Sequence, residues 1–226
     1  FGHLLISGTW VTIQLAVASL FFGLIIGLMG AAAKLSDSRV LRGVATVYTT
    51  LIRGLPELLL VLILYFGGSM LLMSIASNFG YDEYIEVGPF AAGVAALSIA
   101  FGAYATEVLR AAMQAIPLGQ WESAYAMGMS PRKAFFRIIL PQMWKLALPG
   151  LGNLFQVLLK DTALVSVVGL SDLMFQAKVA TGSTKEPFTF YMAAALIYLL
   201  LTAVATLISS RLEKLADPAA QVGRSA

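Results

Sequence analysis

Three pairs of ionisable side chains sit inside stretches that are otherwise apolar: Arg53 with Glu57, Glu107 with Arg110, and Lys160 with Asp161. An ionised group at the centre of a bilayer costs about 2.5–3.5 kcal/mol on insertion scales, so such residues face a pathway, a partner charge or one another. Arg53 and Glu57 are four apart with Pro56 between them, and read as one helical face. They form either an intrahelical structural pair or part of a path. The same two readings hold for Glu107 and Arg110, which are three apart. Lys160 and Asp161 are adjacent and therefore point in different directions. The chemistry these groups can do is recognition of a zwitterion. A substrate carboxylate needs a donor, which Lys160 offers. An ammonium needs an acceptor, and a basic side chain needs one more. Glu57 and Asp161 are the best acceptors for a cationic substrate, with Arg53 and Glu107 as further path candidates.

Other chemistries lack their residues. There is no cysteine, and the one histidine, His3, lies near the terminus. Disulfides and thiolate metal sites are excluded. No H-E-x-x-H cluster exists for a metalloenzyme, and no histidine is placed to serve a serine nucleophile. No G-x-x-x-x-G-K-[ST] phosphate loop is present either, so the chain is not itself an ATPase. We assign no catalytic residue, no metal and no cofactor to it, and nothing in it supports nucleic-acid binding.

The elements that must position these charges belong to a membrane protein. Of 226 residues, 59% are hydrophobic and only 12% charged, with mean hydropathy +0.83. A soluble domain is closer to 45–50% apolar and about 25% charged. The apolar runs are continuous rather than alternating, which favours helices over a barrel. Five runs are long enough, at about 20 residues, to cross a bilayer core: about Trp10 to Ala33, Val44 to Met73, Pro89 to Ala112, Trp144 to Val168 and Phe188 to Ser209. The start of the second is blurred by Arg53 and Glu57. The first reads as a span rather than a signal peptide. Gly23 and Gly27 form a small-residue face on it, read as ordinary bundle packing. No internal repeat or domain linker is evident, so residues 1–226 form a single domain.

The connections alternate in charge. Lys34, Asp37, Arg39 and Arg42 sum to +2; Asp82, Glu83 and Glu86 to −3; Arg110, Glu122, Arg132, Lys133, Arg137 and Lys145 to +4; and Asp172, Lys178, Lys185 and Glu186 to zero. Lys and Arg are retained inside. This predicts a periplasmic N-terminus, a cytoplasmic C-terminus, and a cytoplasmic segment at about 113–142.

That segment has a pattern of its own. Gln120 to Met127 contains no helix breaker and ends at Gly128, a C-cap signal. Ser130-Pro131 then reads as an N-cap followed by proline at the first helical position. Ala134, Phe135, Ile138 and Ile139 follow at helical spacing, up to Leu140-Pro141. The expectation is a short helix, a glycine turn and a second helix leading into span four. Such a rigid strut can pass an external push to the spans.

Glu122-Ser123-Ala124, three residues, Gly128, nine residues, Ile138, one residue, Leu140-Pro141 resembles the E-A-A–x3–G–x9–I-x-L-P signature of ABC importer permeases, with Ser123 for the first alanine. "TTLIRGLPELLL" (Thr49 to Leu60), "AYATEVLRAAMQAIPLGQWE" (Ala103 to Glu122) and "LLKDTALVSVVGLSDL" (Leu158 to Leu173) resemble runs of the polar amino acid permeases. The pattern is most similar to the histidine, lysine, arginine, ornithine and opine branch. Glu57 departs from it, since many relatives have an apolar residue there. The resemblance implies an all-α membrane protein with five transmembrane helices and a coupling helix between spans three and four. It implies that Glu122, Ser123, Ala124, Met127, Gly128, Ser130 and Pro131 dock a separate ATPase that carries the ATP and Mg. It also implies a second permease subunit (paralogue or identical copy), two ATPase subunits, a periplasmic amino-acid-binding protein, surrounding membrane lipid, and residence in a bacterial inner membrane. The contrasting reading is a stand-alone channel or secondary transporter for small polar solutes, which would lack any docking segment.

Overall fold

The structure is a computed structural model, and it describes residues 1–78 and 87–216. The acidic connection of Asp82, Glu83 and Glu86 lies outside the described residues. Among those described, every regular element is helical. In chain order they are α1 (Gly2–Leu35), α2 (Arg39–Gly54), α3 (Glu57–Leu62), a π turn (Ile63–Gly67), α4 (Gly68–Ser77), α5 (Pro89–Gln114), α6 (Leu118–Ala126) and α7 (Pro131–Ala134). A second π turn (Phe135–Ile139), α8 (Leu140–Asp161), a 3₁₀ turn (Thr162–Val168), α9 (Leu173–Thr184) and α10 (Pro187–Ala216) complete the chain. Five helical stretches are long and apolar enough to cross a membrane: Gly2–Leu35, Glu57–Ile75, Pro89–Gln114, Pro131–Val168 and Pro187–Ala216.

The first and fourth spans begin earlier than expected, at Gly2 and Pro131, and the second begins later. The second span does not begin near Val44. Leu55 is extended (φ −100°, ψ 142°), as is Pro56. Proline disfavours helical backbone in the residue before it, so α2 ends at Gly54 and the span starts at Glu57. Helix α2 is a separate element. Ser38 caps it by accepting from the Leu41 N–H, and the Tyr48 hydroxyl donates to the Ile99 carbonyl at 2.7 Å, fastening it to α5.

The bundle is built around α5, whose small residues are buried along most of its length. Helix α1 lies against it through its glycine face. A Cβ at Gly23 would meet Phe101 at 2.7 Å, one at Gly27 would meet Ala105 at 2.8 Å, and one at Gly30 would collide with Thr106. The small residues therefore do what bundle packing requires, letting two backbones close up where lipid supplies no hydrophobic drive. Thr106 donates its hydroxyl to the Gly102 carbonyl at 2.8 Å, hiding a polar group that would otherwise be orphaned in the seam.

At the opposite end from α6, the short helix α9 is tied down by buried polar groups. Asp172 caps it, accepting from the Phe175 N–H at 2.9 Å, and the Thr12 hydroxyl of α1 accepts from the Leu173 N–H at 3.1 Å. Asp172 is fully buried, and its second carboxylate oxygen has no hydrogen-bond partner among the described residues. Burial pushes its carboxyl up to about 6, against the pull of the helix N–H groups.

Candidate functional site

The coupling segment has the form its residues predict. Helix α6 ends in a Schellman motif: the Gly128 N–H donates to the Tyr125 carbonyl at 2.9 Å and the Met129 N–H to the Ala124 carbonyl at 3.1 Å. Gly128 carries φ +75°, the left-handed region where a Cβ is penalised. Pro131 opens α7 as expected. Ser130 occupies the N-cap position in extended conformation, but its side chain makes no cap hydrogen bond. Pro141 has no N–H to return to the carbonyl of Arg137, and the helix widens into the π turn just before it.

The strut is anchored on both sides of its turn. Trp121 of α6 stacks on Phe135 (centroids 6.5 Å apart, planes at 29°) and touches Tyr125. The Gln142 side-chain amide, at the start of α8, donates to the Gln120 side-chain oxygen at 3.1 Å. Ala124 is buried beneath α6, and Ala134 and Ile139 are fully buried under the second helix. Glu122, Ser123, Met127, Gly128, Ser130 and Pro131 are exposed. So of the seven predicted docking residues, six form an outward surface and Ala124 seats the helix on the bundle. Leu118, Tyr125, Met127 and Phe136 add exposed apolar area, Met127 at 80% and Leu118 at 76%. The result is a partly apolar protrusion flanked by Arg132 and Lys133.

The intramembrane charges divide into two groups. Glu107 is held between Lys34 of α1, with which it forms an ion pair, and Arg110, whose Nη2 lies 2.8 Å from its Oε2. Arg110 also donates to Gln114 at 2.7 Å. Glu107 does not line the cavity described next.

That cavity lies where α3, α5 and α8 meet. Its walls are Glu57, Asp161 and Tyr104 among apolar residues that include Phe101, Leu154 and Leu158. Glu57 is the first residue of its span, where the helix dipole favours a negative charge. Asp161 is the last residue of α8, where the helix tightens to 3₁₀ geometry. The Tyr104 hydroxyl donates to Glu57 Oε1 at 3.4 Å. The space is about 20 Å³, room for about one water. Lys160 is exposed and does not line the cavity.

Arg53 and Glu57 do not share a helical face, because the chain breaks at Leu55–Pro56 between them. They meet at Tyr104 instead: the Arg53 guanidinium carbon lies 5.4 Å from the centroid of the ring whose hydroxyl reaches Glu57. Tyr104 was not singled out from the sequence, although it lies three residues before Glu107 in a quoted run. Nor was the Lys34 contact, which spans 73 residues of chain.

A family model described as "Binding-protein-dependent transport system inner membrane component" matches residues 19–220. The chain belongs to this family. The permease is 49% identical over 96% of its length to the nopaline transport system permease protein NocQ of Agrobacterium fabrum, covering 92% of that protein. It is 43% identical to the arginine ABC transporter permease protein ArtQ of Escherichia coli, with 92% of this chain and 93% of that protein covered. With the histidine/lysine/arginine/ornithine transport system permease protein HisQ of Salmonella typhimurium it shares 42% identity, over 95% and 93% of the two chains. Among solved structures, a chain of an amino acid ABC transporter crystallised with histidines superposes with a TM-score of 0.80 at 36% identity, over 94% of each chain. The MetNI methionine transporter superposes at TM-score 0.73 and 18% identity, which speaks to the fold alone. The permease is thus an amino acid ABC permease, a multi-pass inner-membrane transport subunit whose ATPase is a separate chain, and the stand-alone channel or secondary transporter is set aside.

Proposed function

We propose that this permease imports a basic L-amino acid, of the arginine, ornithine, lysine and histidine class, along a path that passes Glu57 and Asp161. The observation that carries the reading is that two carboxylates share a cavity with a tyrosine where α3, α5 and α8 meet, and neither is in an ion pair among the described residues. Carboxylates without an ion-pair partner are costly inside a span, and an entering guanidinium or ammonium offsets that cost through charge-assisted hydrogen bonds. The names of the relatives, which include arginine and nopaline systems, point the same way. The α6–α7 strut is cytoplasmic in this reading, with the N-terminus periplasmic, following the basic connections. Two permeases and two ATPases form the complex. ATP binding and Mg belong to the ATPases, and their closure draws the struts together and exposes the path to a periplasmic binding protein. This chain performs no catalysis itself.

The test is ATP hydrolysis by the complex reconstituted in lipid, with the binding protein loaded by each of a panel of amino acids. Strong stimulation by arginine, ornithine, lysine or histidine supports the reading. Stimulation by acidic or apolar amino acids alone contradicts it.

A further inference from the structure

The cation site at Tyr104 and Glu57 already faces a guanidinium. Tyr104 both lines the cavity and lies under Arg53, 5.4 Å from its guanidinium carbon, and the same ring presents its hydroxyl to Glu57. A planar guanidinium over an aromatic face beside a carboxylate is the arrangement that a substrate guanidinium would adopt there. Arg53 is free to leave. It sits in the last turn of α2, its side chain is exposed, and it makes no ion pair among the described residues. The extended Leu55–Pro56 link breaks the helix between Arg53 and Glu57, so no shared helical register holds the two side chains together. Two like charges cannot both settle at one ring without repulsion, so occupancy by one excludes the other.

We infer that Arg53 is an intramolecular competitor for the cationic head of the substrate, parked on the Tyr104–Glu57 site in the empty permease and displaced on loading. The inference rests on the cavity being the substrate path. Its functional consequence is selection. Only a cargo that outcompetes a resident guanidinium loads, which disfavours neutral amino acids and small inorganic cations. A binding-competent state that is populated only in part lowers the apparent affinity by the fraction populated.

The test is equilibrium binding of radiolabelled arginine to the purified permease–ATPase complex without binding protein. Arg53→Gln frees the ring and should tighten arginine binding by about three- to tenfold, the range expected for one partly exposed cation–π contact. Glutamine binding should tighten less. In a Tyr104→Leu background the Arg53 effect should vanish. Unchanged arginine binding in Arg53→Gln overturns the inference. Weaker binding of arginine and glutamine alike also overturns it, since Arg53 would then be holding the α-carboxylate. If Arg53→Gln does not assemble, Arg53→Lys decides. It keeps the charge but stacks less well, and should tighten arginine binding by about twofold; no change overturns the inference. Glu57→Gln and Asp161→Asn, measured alongside, separate the two claims. If they leave arginine binding intact, the cavity is not the path. If they weaken it while Arg53→Gln is silent, only the competitor role fails.

Discussion

Substitutions at Gly128 separate the geometry of the coupling turn from the stability of the protein around it. An added Cβ would meet nothing within 4 Å, so no clash enters the balance. What remains is the backbone, held at φ +75° by the two Schellman hydrogen bonds. A residue with a Cβ pays about 1–2 kcal/mol in the left-handed region, a β-branched one more, and asparagine less. The opposing hydrogen bonds contribute about 0.5–1.5 kcal/mol each. The expected order of damage is therefore asparagine, alanine, valine. Valine comes close to cancelling the turn, and each 1.4 kcal/mol lowers its population about tenfold relative to alternatives. The site is exposed and remote from the core, so insertion and membrane level should stay normal. The assay is uptake of labelled arginine in proteoliposomes with ATPase and binding protein, alongside co-purification of the ATPase. Wild-type uptake by a well-expressed Gly128→Val permease would refute the argument. So would equal loss in Gly128→Asn and Gly128→Val, because steric or chemical causes would then replace φ.

Two further outcomes follow from other residues. Cysteine at Lys185 should react with a membrane-impermeant thiol reagent from the periplasmic side, and cysteine at Lys133 only after the inner membrane is opened; the native chain has no cysteine to confuse the labelling, and the reverse pattern would invert the topology. Asp172 has a native carboxyl at about 6 against an ordinary 3.8, so the folded state holds its proton more tightly and gains stability as pH falls from about 6 toward 4. Asp172→Asn keeps the capping oxygen without the charge, and should raise Tm at pH 8 by the equivalent of up to roughly 3 kcal/mol, with the gain shrinking by pH 5; a gain that grows on acidification would contradict the burial argument.

Much of the architecture was legible because membrane insertion leaves a coarse signal. Long apolar runs marked the five spans, and Gly23 and Gly27 marked the face that packs on α5. The coupling turn was legible down to single residues, since glycine after an uninterrupted helix and proline after a capping residue are local signals with a backbone cause. The failures also have physical reasons. Arg53 and Glu57 were read as one face because spacing was counted through Pro56, although Gly54, Leu55 and Pro56 together disfavour helix. Contacts between distant elements leave no local trace. Lys34 reaches Glu107, and Gln142 reaches Gln120, only because α1 packs on α5 and α6 folds back on α8. Tyr104 was overlooked because an aromatic residue in a span reads as packing, and only its position beneath Arg53 and beside Glu57 reveals its polar use.

The most direct measurement of the central claim is uptake of arginine against glutamine by the reconstituted complex carrying Glu57→Gln or Asp161→Asn. Each change keeps the shape of the side chain and removes one charge that the cavity offers to a cationic cargo. Losing a charge-assisted hydrogen bond costs about 1.5–3 kcal/mol, so half-maximal arginine uptake should require roughly ten- to a hundredfold more substrate on the same principle. Glutamine uptake should change far less, and ATPase co-purification not at all. Arginine uptake unchanged in both variants would contradict the assignment of this cavity to the path of a basic amino acid.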